Sequence, residues 1–312
     1  MIKFIFKRLL AVIPVFFGIT VLAFSLTIIM PGDPAEIVLT AGGAYQPTEE
    51  QIEIKRKEMG LEDPFVVQYI RWIGNAIKGD FGTSLQTGMP VTQELLERVP
   101  RTFSLAGWSI IFSICLGIPF GVIMAIKKYG FFDEAGSFFA ILFISLPSFW
   151  LSILLIGIFS EYLRLLPTSG FGTWQHLILP GTVLSLSSIG SIARLTRAEI
   201  LNHMGREYIF TARSKGISES KVFFVHALKN AILPVIALIG NNFGAILGGS
   251  VIIENIFAVN GIGQYVVTAI SFRDFPAVSG YTAITGTIYV FVHIVVDILS
   301  YYVNPKLRED AA

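Results

Sequence analysis

The chain alternates long apolar runs with shorter polar intervals. Runs at 9–30, 102–126, 135–160, 177–195, 231–253 and 280–303 are almost free of charge. An α-helix rises ~1.5 Å per residue, so ~20 apolar residues cover the ~30 Å hydrocarbon core of a bilayer. The pattern therefore predicts an all-α integral membrane protein with about six transmembrane helices. The fourth run is the least apolar: it is rich in Gly and Ser and carries Arg194 near its end. Such residues favour close helix–helix contact over lipid exposure. Pro14, Pro119, Pro147 and Pro234 lie in or near the runs, where neighbouring helices can satisfy the carbonyls that proline leaves open. Lys3, Lys7 and Arg8 ahead of the first run imitate a signal peptide. The run is longer than a signal-peptide core and no small-residue cleavage site follows it, so it reads as a retained first span.

The polar intervals divide the chain into three parts: an N-terminal segment with the first span (1–30), an insert (31–101) and a core membrane domain (102–312). The insert opens on the turn signal Pro31-Gly32-Asp33-Pro34. A polar helix is expected over 48–59, started by a capping box of Thr48 and Gln51. Amphipathic helices are expected over 67–78 and 91–99. With few large aliphatics the insert cannot bury much of a core by itself, so it is expected to form a small helical cap on the outer face of the membrane domain.

Composition agrees with this pattern. Of 312 residues, 53% are hydrophobic and 14% charged, against roughly 25% charged for soluble domains. The net charge of +1 carries no basic surplus for nucleic acid. Cys115 is a single cysteine, so no internal disulfide is available. Lys127, Lys128, Arg197, Arg206, Arg213, Lys215, Lys221, Lys229, Lys306 and Arg308 fall on the side of the N-terminus, whereas the short opposite loops hold only Arg164 and Arg273. The positive-inside rule then puts both termini in the cytoplasm.

The most informative interval is 196–230, a cytoplasmic loop in this topology. Within it, 205–216 reads as a short helix with Glu207 near its start, Arg213 and Lys215 near its end, and Gly216 as its stop. Acid first and base last complements the helix dipole. A second helix is expected over 218–228 with Ser218 as N-cap. A short capped helix between two spans suits docking on a partner; the other reading of the same residues is a basic loop that only fixes topology.

Several segments together resemble the permeases of the peptide/nickel family of ATP-binding cassette (ABC) importers. They include Phe6-Lys-Arg-Leu-Leu10, Pro31-Gly-Asp-Pro34, Met59-Gly-Leu-Glu-Asp-Pro64, Gly79-Asp-Phe-Gly-Thr-Ser84, Leu146-Pro-Ser-Phe-Trp150 and Leu166-Pro-Thr-Ser-Gly170. Further along come Thr211-Ala-Arg-Ser-Lys-Gly216, His226-Ala-Leu-Lys-Asn230, Glu254-Asn-Ile-Phe257, Gly261-Ile-Gly263, Arg273-Asp-Phe-Pro276 and Asn304-Pro-Lys-Leu-Arg308. The resemblance implies a type I importer fold in a bacterial or archaeal cytoplasmic membrane. It implies a coupling helix comprising Arg206, Glu207, Tyr208, Thr211, Ala212, Arg213, Lys215 and Gly216. Of the wider Glu-Ala-Ala pattern only the second alanine, Ala212, is met, and Glu207 is the nearest acid. It also implies a related second permease, two ATP-binding subunits, an extracytoplasmic substrate-binding protein and no catalysis by this chain. The segments 172–180 and 253–257 look most like nickel-type members, so the expected cargo leans to nickel over short peptides.

No G-x-x-x-x-G-K-[ST] loop occurs, so ATP and Mg are expected on partner subunits and no cofactor on this chain. Gly261-Ile-Gly263 reads as a flexible turn. The four histidines are dispersed: His293, inside the last span, pairs in register with Asp297 at i+4, and His176 is no metal site alone. Those two with Ser300 share one helix and make no nucleophile–base–acid set. Asn241, Asn242, Gly248, Gly249, Ser250 and Glu254 in the fifth span are candidates for a translocation path, or for close helix packing. A secondary transporter without ATPase subunits is the alternative function; it commonly shows inverted repeats or intramembrane carboxylate pairs, and the sequence has no convincing repeat.

Overall fold

A computed structural model describes residues 2–29, 31–40 and 46–303. The Asn304–Arg308 motif and its two cations lie outside them. The described chain is helical, and its one strand-like contact is an isolated bridge between Thr83 and Pro90. In order come α1 (Ile2–Ile29), α2 (Pro34–Thr40), α3 (Glu49–Glu58), α4 (Phe65–Ala76), α5 (Val91–Ile126), α6 (Phe131–Ser145) and α7 (Ser148–Leu155). Then follow α8 (Gln175–Met204), α9 (Glu207–Ser214), α10 (Glu219–Lys221), α11 (Lys229–Ile256), α12 (Ile262–Ser271) and α13 (Phe275–Val303). Wider π-helical turns extend α7 over Ile156–Tyr162 and join α10 to α11 over Val222–Leu228.

Five stretches are long and apolar enough to cross a membrane: Leu10–Ile29, Val91–Ile126, Gln175–Met204, Glu219–Gly248 and Phe275–Ile298. The third expected span is not one continuous helix. It breaks between Ser145 and Ser148 with a bend of 102°. Pro147 has no N–H and its ring crowds the preceding turn, which drives Leu146 to an extended backbone with ψ 127°. Pro14, Pro180 and Pro234 stay inside helices.

Three other expectations are corrected. The 91–99 helix and the second span form one helix of 36 residues. The fourth span continues to Met204, which shortens the following loop. The Gly261-Ile-Gly263 turn instead starts α12, whose Ile262, Tyr265, Val266 and Ala269 are buried at i, i+3, i+4 and i+7.

The chain divides into two compact units. One holds Arg101–Val259 and the run from Val292. Its spine is α8 packed on α5, α6 and α11. Gly117 and Gly121 of α5 lie so close to Ile192, Ala193 and Thr196 of α8 that a Cβ would collide, and Gly190 meets the Ala140 carbonyl of α6 the same way. The absence of a side chain lets the helices close, and that is how helices associate where lipid offers no hydrophobic drive.

The other unit holds Phe6–Pro100 and Asn260–Phe291. Val91, Leu95, Ile262, Tyr265, Ala269, Ala277 and Val278 form its core. Thr48 and Gln51 close the expected capping box at α3. The loop before α5 is tied down by a buried polar network. The Ser84 hydroxyl donates to the Asp274 carboxylate, which also receives the Gln86 and Ala277 N–H groups at 3.3 and 3.2 Å. The Tyr265 hydroxyl and Thr87 donate to Glu94 Oε2 at 3.0 and 3.2 Å, and Arg98 stands 3.4 Å from Oε1. Burial, and then the hydrogen bond to the Glu94 carboxylate, push the Tyr265 phenol far above its ordinary pKa.

Candidate functional site

The site begins where α8 ends. Gly205 closes that helix and Arg206, on extended backbone, starts α9 without lending its side chain to the cap. Glu207 stands in the first turn and Arg213 in the last. Lys215 and then Gly216 terminate the helix: the Lys215 N–H reaches the Thr211 carbonyl at 3.1 Å, and Gly216 takes φ +73°. The chain then reverses, which a residue with a Cβ resists at that φ.

One face of α9 is sealed. Ile209 and Ala212, three residues apart, pack with Val222 and Ala227, supported by Met204 and Ile217. The π-helical segment is seated in turn by Phe223 and Leu228 against Ala125 of α5, Ile200 of α8 and Ala231 of α11. The helix is thus fastened to the ends of three long helices within its unit.

The other face is open. Arg206, Glu207, Thr211, Arg213 and Lys215 are exposed, and Phe210, 57% exposed, projects among them. An apolar ring rimmed by charge has the composition of a docking patch. Tyr208 is partly tucked in: its hydroxyl shares a 2.8 Å hydrogen bond with His203 Nδ1 and lies 3.4 Å from the His226 carbonyl. Thr211 donates to the Glu207 carbonyl. Arg213 forms a two-pronged pair with Glu219 at 2.7 and 3.0 Å, which raises the guanidinium pKa further above its ordinary value. Ser218, expected to cap the second helix, makes no side-chain cap bond.

Of the residues that the sequence assigns to this element, Ala212 differs in kind: it is buried in the packed face and does not front solvent. Phe210 is the apolar residue on the open face, and the sequence reading passed over it. Its signal was its place one residue after Ile209, which puts it off the packed face at helical spacing.

The path candidates on α11 do not share one face. Asn241 and Gly248 are exposed and Asn242 is half-buried; the Asn242 amide nitrogen is buried without a partner. Gly249 lies in the same helix. Ser250 and Glu254, four residues apart, point inward: Ser250 donates to the Leu247 carbonyl at 2.8 Å, and the fully buried Glu254 accepts from Thr102 at 2.7 Å. Among the described residues, no three His, Cys, Asp or Glu side chains are placed to hold a metal ion.

Residues 117–309 match the family described as the binding-protein-dependent transport system inner membrane component, and residues 1–106 match the N-terminal component of the same systems. A putative peptide transport system permease protein of Brucella abortus is 41% identical, over 99% of this chain and 100% of that protein. The glutathione transport system permease protein GsiC of Escherichia coli is 36% identical over 99% of both chains. The inward-facing methionine ABC transporter MetNI shares the fold, with a TM-score of 0.56 and 18% identity over 67% of this chain and 96% of that one. An amino acid ABC transporter superposes with a TM-score of 0.53 and 16% identity over 68% and 94%. The chain therefore belongs to the inner-membrane components of binding-protein-dependent transport systems, as a multi-pass permease subunit with the type I fold of ABC importers.

Proposed function

We propose that this permease pairs with a related second permease to enclose a path for short peptides. Two ATP-binding subunits carry the nucleotide and Mg and hydrolyse it. A substrate-binding protein delivers the peptide at the outer face. Both termini and α9 face the cytoplasm, and the chain binds no cofactor and catalyses no reaction. Each conformation of the path is favoured differentially by ATP or by the loaded binding protein, without which no net transport would occur.

The observation that carries this reading is α9 itself. It is sealed on Ile209 and Ala212, open at Phe210, and fixed to the ends of α5, α8 and α11. A push on Phe210 reaches three spans through packed side chains rather than through a slack loop. Peptide cargo is supported by the peptide and glutathione transport named for the relatives, and this outweighs the lean to nickel drawn from 172–180 and 253–257.

The test is uptake by the reconstituted complex, supplied with a labelled dipeptide, labelled glutathione or labelled nickel. ATP-dependent accumulation of a peptide, abolished by Phe210→Ala or Glu207→Lys in a chain that still inserts and folds, is the expected result. Accumulation of nickel alone would overturn the cargo, and uptake without ATP-binding subunits would overturn the coupling.

A further inference from the structure

The helix α4 carries an apolar face that its unit does not cover. Its residues sort around the axis into three arcs. Phe65, Tyr69 and Trp72 (i, i+4, i+7) pack on α1: their rings stand 5.5, 5.9 and 5.7 Å from Phe24, and Tyr69 stands 6.1 Å from Phe17. Gln68, Arg71 and Asn75 line a cavity of about 720 Å³ together with Asp33 and Arg56, in a lining that also includes Phe24, Leu61 and Trp72. The third arc is Val66 and Ile70, continued by Ile77, the residue that caps the C-terminus of α4. These are 61, 62 and 76% exposed.

The contacts with α1 set the depth of α4. The apolar run of α1 ends at Ile29. Phe24 lies roughly 8 Å below that end and Thr20 roughly 14 Å, at 1.5 Å per residue. The Tyr69 hydroxyl reaches Thr20, at 2.9 Å. Thr20 is 2% exposed, so Tyr69 covers a polar group that would otherwise face hydrocarbon near the middle of the span. α1 also carries exposed apolar side chains, Phe17 and Leu22 at 59 and 66% exposure.

We infer that α4 lies within the outer leaflet of the bilayer, seated against α1, with Val66, Ile70 and Ile77 in contact with acyl chains. The insert is then more than a cap on the membrane surface: its α4 is an amphipathic helix of the interfacial kind, with apolar residues to lipid and Arg71 and Asn75 on a separate polar arc. The inference rests on the reading of α1 as a span.

The test uses the full-length chain, with Cys115→Ala, in lipid nanodiscs. Single nitroxide labels are placed by Ile70→Cys, Ile77→Cys, Leu22→Cys on α1 and Glu53→Cys on α3. Relaxation by dissolved oxygen is compared with relaxation by anionic chromium oxalate, which the cost of burying charge in hydrocarbon excludes by about tenfold or more. Labels at 70 and 77 are expected to favour oxygen by about tenfold over the label at 53, as the label at 22 does. Labels at 70 and 77 that behave like the one at 53, while 22 stays in lipid, would overturn the placement of α4 alone. Labels at 70 and 77 shielded from both reagents would show a protein cover, and would overturn it too. A label at 22 that meets oxalate would overturn the span together with the inference.

Discussion

Arg197 of α8 grips Asp133 at the start of α6 through two guanidinium nitrogens, Nη2 reaching Oδ2 at 2.7 Å. Asp133 is 2% exposed, and its Oδ2 also accepts the Tyr129 N–H at 2.8 Å. The pair ties the turn after α5 and the start of the bent third span to the helix that leads into α9. Removing one partner of such a pair strands the other charge. Arg197→Met is expected to destabilise the folded chain by about 3 kcal/mol, whereas Asp133→Asn with Arg197→Met, which leaves no charge stranded, recovers most of that. Thermal unfolding of the purified variants in detergent measures both. Equal losses in the single and double variants would show that the pair carries no such energy.

Gly216 stops α9 at φ +73°, and nothing lies within 4 Å of where its Cβ would be. Space is therefore free and the cost is conformational alone. Gly216→Ala is expected to lose about 1 kcal/mol, and Gly216→Asn less, because Asn tolerates the left-handed region. Unfolding temperatures of the two variants against the parent give the order.

Ala212 and Phe210 lie two residues apart and have opposite surroundings. Ala212→Asp puts a carboxylate among Ile209, Val222 and Ala227 and is expected to cost about 3 kcal/mol or more in stability. Phe210→Ala removes an exposed ring and is expected to leave stability within about 0.5 kcal/mol. It should instead weaken association with the ATP-binding subunits by on the order of 2 kcal/mol, about thirtyfold in Kd. Calorimetry of the free chain and titration of the subunits separate the two effects.

Tyr265→Phe deletes one of the donors to the buried Glu94 while keeping the ring beneath Arg98, whose guanidinium carbon stands 4.7 Å from the ring centre. A loss of about 2 kcal/mol is expected from the under-satisfied carboxylate. Hydrogen exchange should rise in 79–95, the segment that this network ties down. An unchanged exchange rate there would mean the loop is held by other contacts.

Much of this architecture was legible in the residue pattern. Apolar runs of sufficient length predict their own helices, because backbone polar groups inside a bilayer have no other partners. The capping box at Thr48 and Gln51 and the glycine stop at Gly216 are local chemistry, and both formed. So did the dipole-matched helix over Glu207–Ser214.

Tertiary structure alone decided which residues face what. A helix period marks Ile209, Phe210 and Ala212 as neighbours, but only the return of Val222 and Ala227 makes Ala212 a seat and leaves Phe210 open. The buried α12 was missed because its apolar positions looked like a short loop until the core of Val91 and Leu95 gave them a partner. Arg197, Tyr265 and Thr102, which bond Asp133, Glu94 and Glu254, are 64, 171 and 152 residues away from them along the chain. Period and propensity reach only three or four residues, so such pairings are set by folding in three dimensions.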